Sequence, residues 1–251
     1  MNAPSSTHGL REHLPLAPQI ETHFHWRGNE VTRLEGLTDA VFAFAVTLLV
    51  VALEGPRTVD GLRDVLRGFP AFVICFALLM TFWNAHYRYH RRYGLQDPFT
   101  RVLTMAILVL VLFFVYPLKY LFTWFTVNLF GLAMHDAPVV ETLADAQLLY
   151  VVYGLAFAGV WGLYAGLYAH ALRKRSELGL SAAEIVMTRG TLAENLIYVG
   201  VCSLSVVLAL TTTSASLPGY IYFLLAPLQS FSGWWFGRKA NALGTAGLKA
   251  E

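Results

Sequence analysis

Cysteine is nearly absent from this chain: Cys75 and Cys202 are the only two in 251 residues, and both fall inside apolar runs. Neither a disulfide framework nor a zinc cage has the residues it needs. Charge is also scarce, at 14% of the sequence with a net of +2. The basic residues form short clusters between apolar runs, not a continuous stripe, so nucleic acid is not an expected partner. No H-E-x-x-H or G-x-S-x-G occurs, and no paired aspartates lie deep in an apolar run, which argues against an enzyme. The first thirty residues contain Pro4, Pro15 and Pro18 but no short apolar core of a cleavable signal.

What the chain has is oil. Hydrophobic residues make up 56% of it and the mean hydropathy is +0.53, the profile of a membrane protein. Six apolar stretches are expected to cross a bilayer as helices: residues 33–53, 69–87, 102–122, 146–172, 192–210 and 217–236. The fold class is therefore all-α and polytopic. Residues 1–30 are expected to form a disordered cytoplasmic tail, with His23 and His25 as solvated side chains, residues 31–238 the six-helix domain, and residues 239–251 a cytoplasmic C-terminal tail. Of the 18 Lys and Arg, all but Arg57, Arg63, Arg67 and Lys119 fall on one side of this arrangement, which places both termini in the cytoplasm.

Smaller features punctuate the spans. Glu54, Gly55 and Pro56 are expected to end the first helix, and residues 58–68 to form a short amphipathic surface helix with ion pairs at three- and four-residue spacing. Pro117 is expected to kink the third span, and residues 126–145 to form an external loop. Gly154, Ala158, Gly162 and Gly166 recur at strict fours in the fourth span, a face for close helix packing. Ser181 and Glu184 have capping-box spacing. His86 and His90 lie four apart, with no carboxylate or thiol beside them to complete a metal site.

The first span organises the rest. Leu34, Leu37, Val41, Phe44, Leu48 and Val51 recur at threes and fours, forming one apolar seam on a helix. Thr38 and Asp39 point away from that seam. The second span returns antiparallel, so its Trp83 and His86 reach the level of Arg33, Thr38 and Asp39. A carboxylate there needs donors, and a hydrogen-bonded knot among these residues is expected. Arg33, Asp39, His86, Arg189 and Glu194 also support an alternative reading, a proton relay in a proton-conducting or proton-coupled transporter.

Arg33, followed after three residues by Leu37-Thr38-Asp39 and the run Ala-Val-Phe-Ala-Phe-Ala-Val-Thr-Leu-Leu-Val, resembles the R-x-x-x-F-S-D signature and first helix of the transmembrane protein 175 family of potassium-selective channels. Trp83 and His86 are similar to the family's W-x-x-H pattern. Leu37 stands where the family has Phe, Thr38 where it has Ser, and Phe44 where members usually have Ile. The resemblance implies a prokaryotic potassium-selective leak channel in a bacterial inner membrane, with four copies around the first helix. It implies a hydrophobic constriction at Phe44, Leu48 and Val51, with Thr47 tied to potassium preference. Its partners would be its own copies and the lipid bilayer; no cofactor is implied, and potassium is the permeant ion. No T-V-G-Y-G run is present to build a carbonyl filter, so an apolar ring that must wet before an ion passes would act as both gate and barrier.

Overall fold

The structure, a computed structural model, describes residues 24–28, 30–51, 58–131 and 138–247, and every regular element among them is helical. Helix α1 is Arg33–Val51, α2 Val59–Arg67, α3 Phe69–Tyr93, α4 Pro98–Phe130, α5 Leu143–Arg173 and α6 Ala182–Thr211. Helix α7, Leu217–Tyr220, leads through a 3-10 turn at Ile221–Leu224 into α8, Leu225–Gly247. The expected stop at Glu54 to Pro56 and most of the N-terminal tail, His23 included, lie outside the described residues.

The helix ends follow local chemistry. Thr58 caps α2, whose Asp60–Arg63 and Asp64–Arg67 pairs lie three residues apart, as the pattern predicts. Capping boxes open α5 at Thr142 and Asp145 and α6 at Ser181 and Glu184, so four side chains satisfy amide groups that no helix can satisfy internally. Helix α3 runs past residue 87 to Gly94 and α4 past residue 122 to Gly131. Each stops only where glycine takes the left-handed conformation, φ 60° and 62°. Residues 126–130, expected in the external loop, are therefore helical. Pro117 lies inside α4, and Tyr153 of α5 donates its hydroxyl proton to the Pro117 carbonyl.

Among the described residues five stretches are long and apolar enough to cross a membrane: α1, α3, the Pro98–Val115 part of α4, α5 and α6. Residues 217–236, expected as a sixth continuous helix, are divided instead. Pro218 starts α7, and Pro227 has no N–H to return to the preceding turn, so the backbone tightens into the 3-10 turn before α8 begins.

Helix α1 packs on α3 and α4, α4 on α5, α5 along α6, and α6 on α8. The glycine ladder divides its work: Gly154 and Gly162 face Val206 and Val199 of α6, and Gly166 faces Leu103 of α4. At the end of the bundle where α3 stops, a tyrosine cluster fills the core. Tyr89 and Tyr93 of α3 meet Tyr168 of α5 edge-on, with centroids 5.4 and 5.8 Å apart, and Tyr93 bonds Thr188 of α6 at 2.7 Å. Asp97 caps α4 and reaches His170 of α5 at 2.9 Å. Burial pushes its carboxyl up, but the bonds from the Thr100 amide and from His170 outweigh that and hold its pKa below the ordinary value. Its contribution is thus full at neutral pH and is lost as the pH falls through that lowered value.

Residues 24–28, expected as part of a disordered tail, are folded onto this end. Phe24 is 2% exposed, edge-on to Tyr93 at 5.6 Å, and Arg92 stands over its ring at 4.9 Å. An aromatic residue and an Arg supply the burial and the charge pairing that hold five residues against the cost of ordering them.

Gly154 and Gly162 offer a matched test of the α5–α6 interface. A Cβ on Gly154 would lie 2.5 Å from the stiff Val206 side chain, whereas one on Gly162 meets nothing closer than 3.8 Å. Gly154→Ala is expected to destabilise by about 1–3 kcal/mol, and Gly162→Ala to leave the melting temperature in nanodiscs unchanged or raised. Equal melting temperatures for the two variants would refute this helix register.

Candidate functional site

Helix α1 has two faces. Thr38, Phe42, Ala45 and Leu49, one side of a 3.6-residue repeat, are buried against α3 and α4. The opposite side is not covered within the subunit: Phe44 is 55% and Val51 64% exposed, Leu37 and Thr47 are exposed, and Leu48 is half-buried at the boundary. The Thr47 hydroxyl turns back to donate to the Ala43 carbonyl at 2.9 Å, which satisfies it within the helix.

The expected knot forms in part. The Trp83 indole N–H donates to Asp39 Oδ1 at 2.7 Å and joins α3 to α1. Thr38 is buried but donates to the Leu34 carbonyl one turn back, 2.8 Å away, so it needs no partner on α3. His86 is turned toward α4, where its Nε2 lies 3.4 Å from Thr104 Oγ1 and its ring lies tilted against that of His90 with centroids 4.2 Å apart. Residues 83 and 86 differ by about 60° around the helix, enough to leave Trp83 at the α1 boundary and carry His86 into the core toward α4. Arg33 lies exposed at the start of α1.

The residues named for a proton relay do not form one chain. Asp39 ends on an indole, which donates a proton but has no site to accept one. Glu194 is half-buried on α6, Arg189 is exposed, and the cation that bonds α6 nearby is Arg92, whose Nη1 donates to Thr191 Oγ1 at 3.2 Å. Among the described residues no three His, Cys, Asp or Glu converge as metal ligands.

Sequence reasoning missed the residues that fix the foot of α1. Thr32 and Glu35 form a reciprocal cap, with amide bonds of 2.8 and 3.2 Å, and Arg91 of α3 lies 3.7 Å from Glu35. Arg91 also donates to the Gly28 carbonyl at 2.9 Å, while its own carbonyl accepts from the amides of Arg27 and Gly28. Arg27 then makes a two-pronged pair with Glu184 of α6, at 2.9 and 3.0 Å. The Thr32–Glu35 spacing is a capping-box signal that was available; the Arg27–Glu184 pair spans more than half the chain and leaves no local signal.

Asp39 and Trp83 carry a prediction. In Asp39→Ala the indole loses its acceptor, at an expected cost of about 1–3 kcal/mol. Asp39→Asn keeps an acceptor oxygen and is expected to recover most of that in a thermal unfolding scan. Full parental stability in Asp39→Ala would show that the bond is dispensable.

Comparison with known proteins agrees with this architecture. The family model for the endosomal/lysosomal potassium channel TMEM175 matches residues 33–117, from the start of α1 into α4. A protein of Marivirga tractuosa named as a potassium channel is 32% identical over 234 residues, 89% of this chain and 95% of its own length. The crystal structure of a threonine-to-alanine variant of the potassium channel MtTMEM175, in complex with a nanobody–MBP fusion protein, superposes with a TM-score of 0.77. It is 31% identical in sequence, and the match covers 90% of this chain and all of that one. With a shared fold, nearly full-length alignment and identity above 30%, this multi-pass membrane protein belongs to the TMEM175 family.

Proposed function

We propose that the chain is a potassium-selective, leak-type cation channel formed by four copies, with the exposed face of each α1 turned to a common axis. The single observation that carries this reading is the two-sided burial of α1: the subunit covers Thr38, Phe42, Ala45 and Leu49 and leaves Phe44, Thr47 and Val51 uncovered. Relatives named as potassium channels supply the ion. A pore lined by one helix per chain needs several chains, and closed cyclic symmetry is the ordinary way to gather them.

In this reading Phe44, Leu48 and Val51 stack as successive apolar rings that have to wet for an ion to pass. Thr47 lies between the first two levels, and its hydroxyl oxygen can still accept while its proton is spent on Ala43. Asp39 and Trp83 hold the helix in rotation and do not touch the ion. The segmented stretch from α7 into α8 serves as the sixth crossing, since residues 217–236 span about 30 Å as helix, the thickness of a bilayer core. Both termini then lie on the cytoplasmic side of a bacterial inner membrane, in keeping with the Arg and Lys distribution.

Reconstituted in liposomes, the parent protein is expected to support a potassium diffusion potential. Phe44→Ala is expected to raise cation flux by about tenfold, equivalent to a barrier lowered by about 1.4 kcal/mol. Unchanged flux in a folded Phe44→Ala protein would remove Phe44 from the axis. Strictly proton-coupled, saturable flux in the parent would support the transporter instead. Native mass spectrometry is expected to give a tetramer, and a monomer would dispose of a shared pore.

A further inference from the structure

Helix α8 packs on α6 and on the turn that precedes it, and the opposite side of α8 has no cover within the chain. Leu228, Phe231, Trp234, Trp235 and Arg238 lie within about 120° of one another around the helix, and all five are exposed. These side chains are arranged against each other. Phe231 meets both Trp234 and Trp235 with ring centroids 6.1 Å apart, and the Arg238 guanidinium carbon stands over the Trp234 ring at 5.0 Å. A guanidinium laid on an indole spends its flat face there and keeps its in-plane N–H donors free.

Two further cations stand at the same height. Lys239 follows Arg238, and Arg189 of α6 is level with them because Gly190 abuts α8: a Cβ on Gly190 would come 2.9 Å from the Phe236 Cβ. All three are exposed, and among the described residues none of them pairs with a carboxylate. Glu184 is taken by Arg27, and Glu194 lies level with Gln229, about 13 Å along the helix from Arg238. An apolar strip that ends in unpaired cations fits a molecule with an apolar chain and a headgroup of net negative charge. A zwitterionic headgroup would bring its own ammonium to the arginine. A second copy fits poorly, since a two-fold axis along the membrane normal would set the two α8 helices parallel and Arg238 against Arg238 with no acid between them.

We propose that this face of α8 is a binding site for an anionic phospholipid, with the phosphate on Arg238 and an acyl chain along Phe231, Trp235 and Leu228. Phe231 to Arg238 covers about 10 Å of helix, so the rings and the cation fall within reach of one lipid. The site rests on the sixth crossing proposed above and is independent of conduction.

The test uses the full chain in dodecyl maltoside, titrated with dioctanoyl phosphatidylglycerol or dioctanoyl phosphatidylcholine, with bound lipid counted by native mass spectrometry. Phosphatidylglycerol is expected to bind at least tenfold more tightly. Arg238→Gln is expected to remove that preference and to leave phosphatidylcholine binding unchanged. Arg101→Gln, at an exposed arginine on α4, is expected to leave the preference intact. Three results would overturn the proposal: equal affinity for the two lipids, equal loss in Arg238→Gln and Arg101→Gln, as a diffuse positive surface would give, or a disulfide between copies in Phe231→Cys, as a second copy on this face would give. Leu228→Cys in nanodiscs separates the site from the crossing. If that thiol is shielded from a water-soluble maleimide while the lipid preference is missing, the crossing stands and the site falls; if it is labelled, the crossing falls and takes the site with it.

Discussion

A carboxylate near the edge of a bilayer has to find a donor, and Asp39 finds the indole of Trp83. That bond sets the rotation of α1 against α3. Once Asp39 is held at the boundary between the two helices, the repeat of 3.6 residues decides everything else on α1: Thr38, Phe42, Ala45 and Leu49 must turn inward, and Phe44, Thr47 and Val51 outward. A rotation of one residue, about 100°, would turn Phe44 and Leu48 into the core and carry Ala45 and Leu49 out of it. The donor is well suited to the task, since an indole offers one N–H, no competing acceptor, and a ring that stacks on Tyr87 at 5.5 Å.

The height of α1 is fixed separately, at its foot. Thr32 and Glu35 close the helix start, Arg91 ties that start to α3, and Arg27 carries the tie on to Glu184 of α6. Glu184 at the same time caps its own helix through Ser181. One nearly buried carboxylate therefore holds a helix start and a guanidinium together, which is the geometry in which Arg is not replaceable by Lys. Residues 24–28 thus join the end of α3, beside the foot of α1, to the start of α6.

Much of this was legible in the sequence, and the limits have physical causes. Helix existence, the α2 ion pairs, the Ser181–Glu184 cap and the glycine packing face are local, set by residues within a turn or two of each other, and each is found where the pattern puts it. The Asp39–Trp83 bond was legible because antiparallel neighbours bring known heights together. His86 was not, because height does not fix rotation: it shares a level with the signature but faces α4. Residues 24–28 read as tail because polar composition is all a short segment offers, and their partners, Tyr93 and Glu184, are distant in sequence. The broken sixth stretch turns on Pro227, whose missing N–H outweighs an apolar run that otherwise reads as a span.

An exposed apolar strip on a membrane helix has two possible destinations, lipid or another copy, and apolarity alone does not choose between them, because lipid tails are as apolar as leucine. Size does choose. Gly36, Ala40, Ala43 and Thr47 follow one another at threes and fours along the uncovered side of α1, and a Cβ on Gly36 would meet nothing within 4 Å. Small residues give lipid nothing that large ones would not, but they let a second backbone come close enough for dispersion and Cα–H contacts to hold two helices together. Beside that ladder stand Phe44 and Val51, too large to sit in a close helix–helix seam. The two sets fit the assembly proposed above: in it the small residues would admit the neighbouring subunit at the flank, and the large ones would project past it, toward the space the copies enclose.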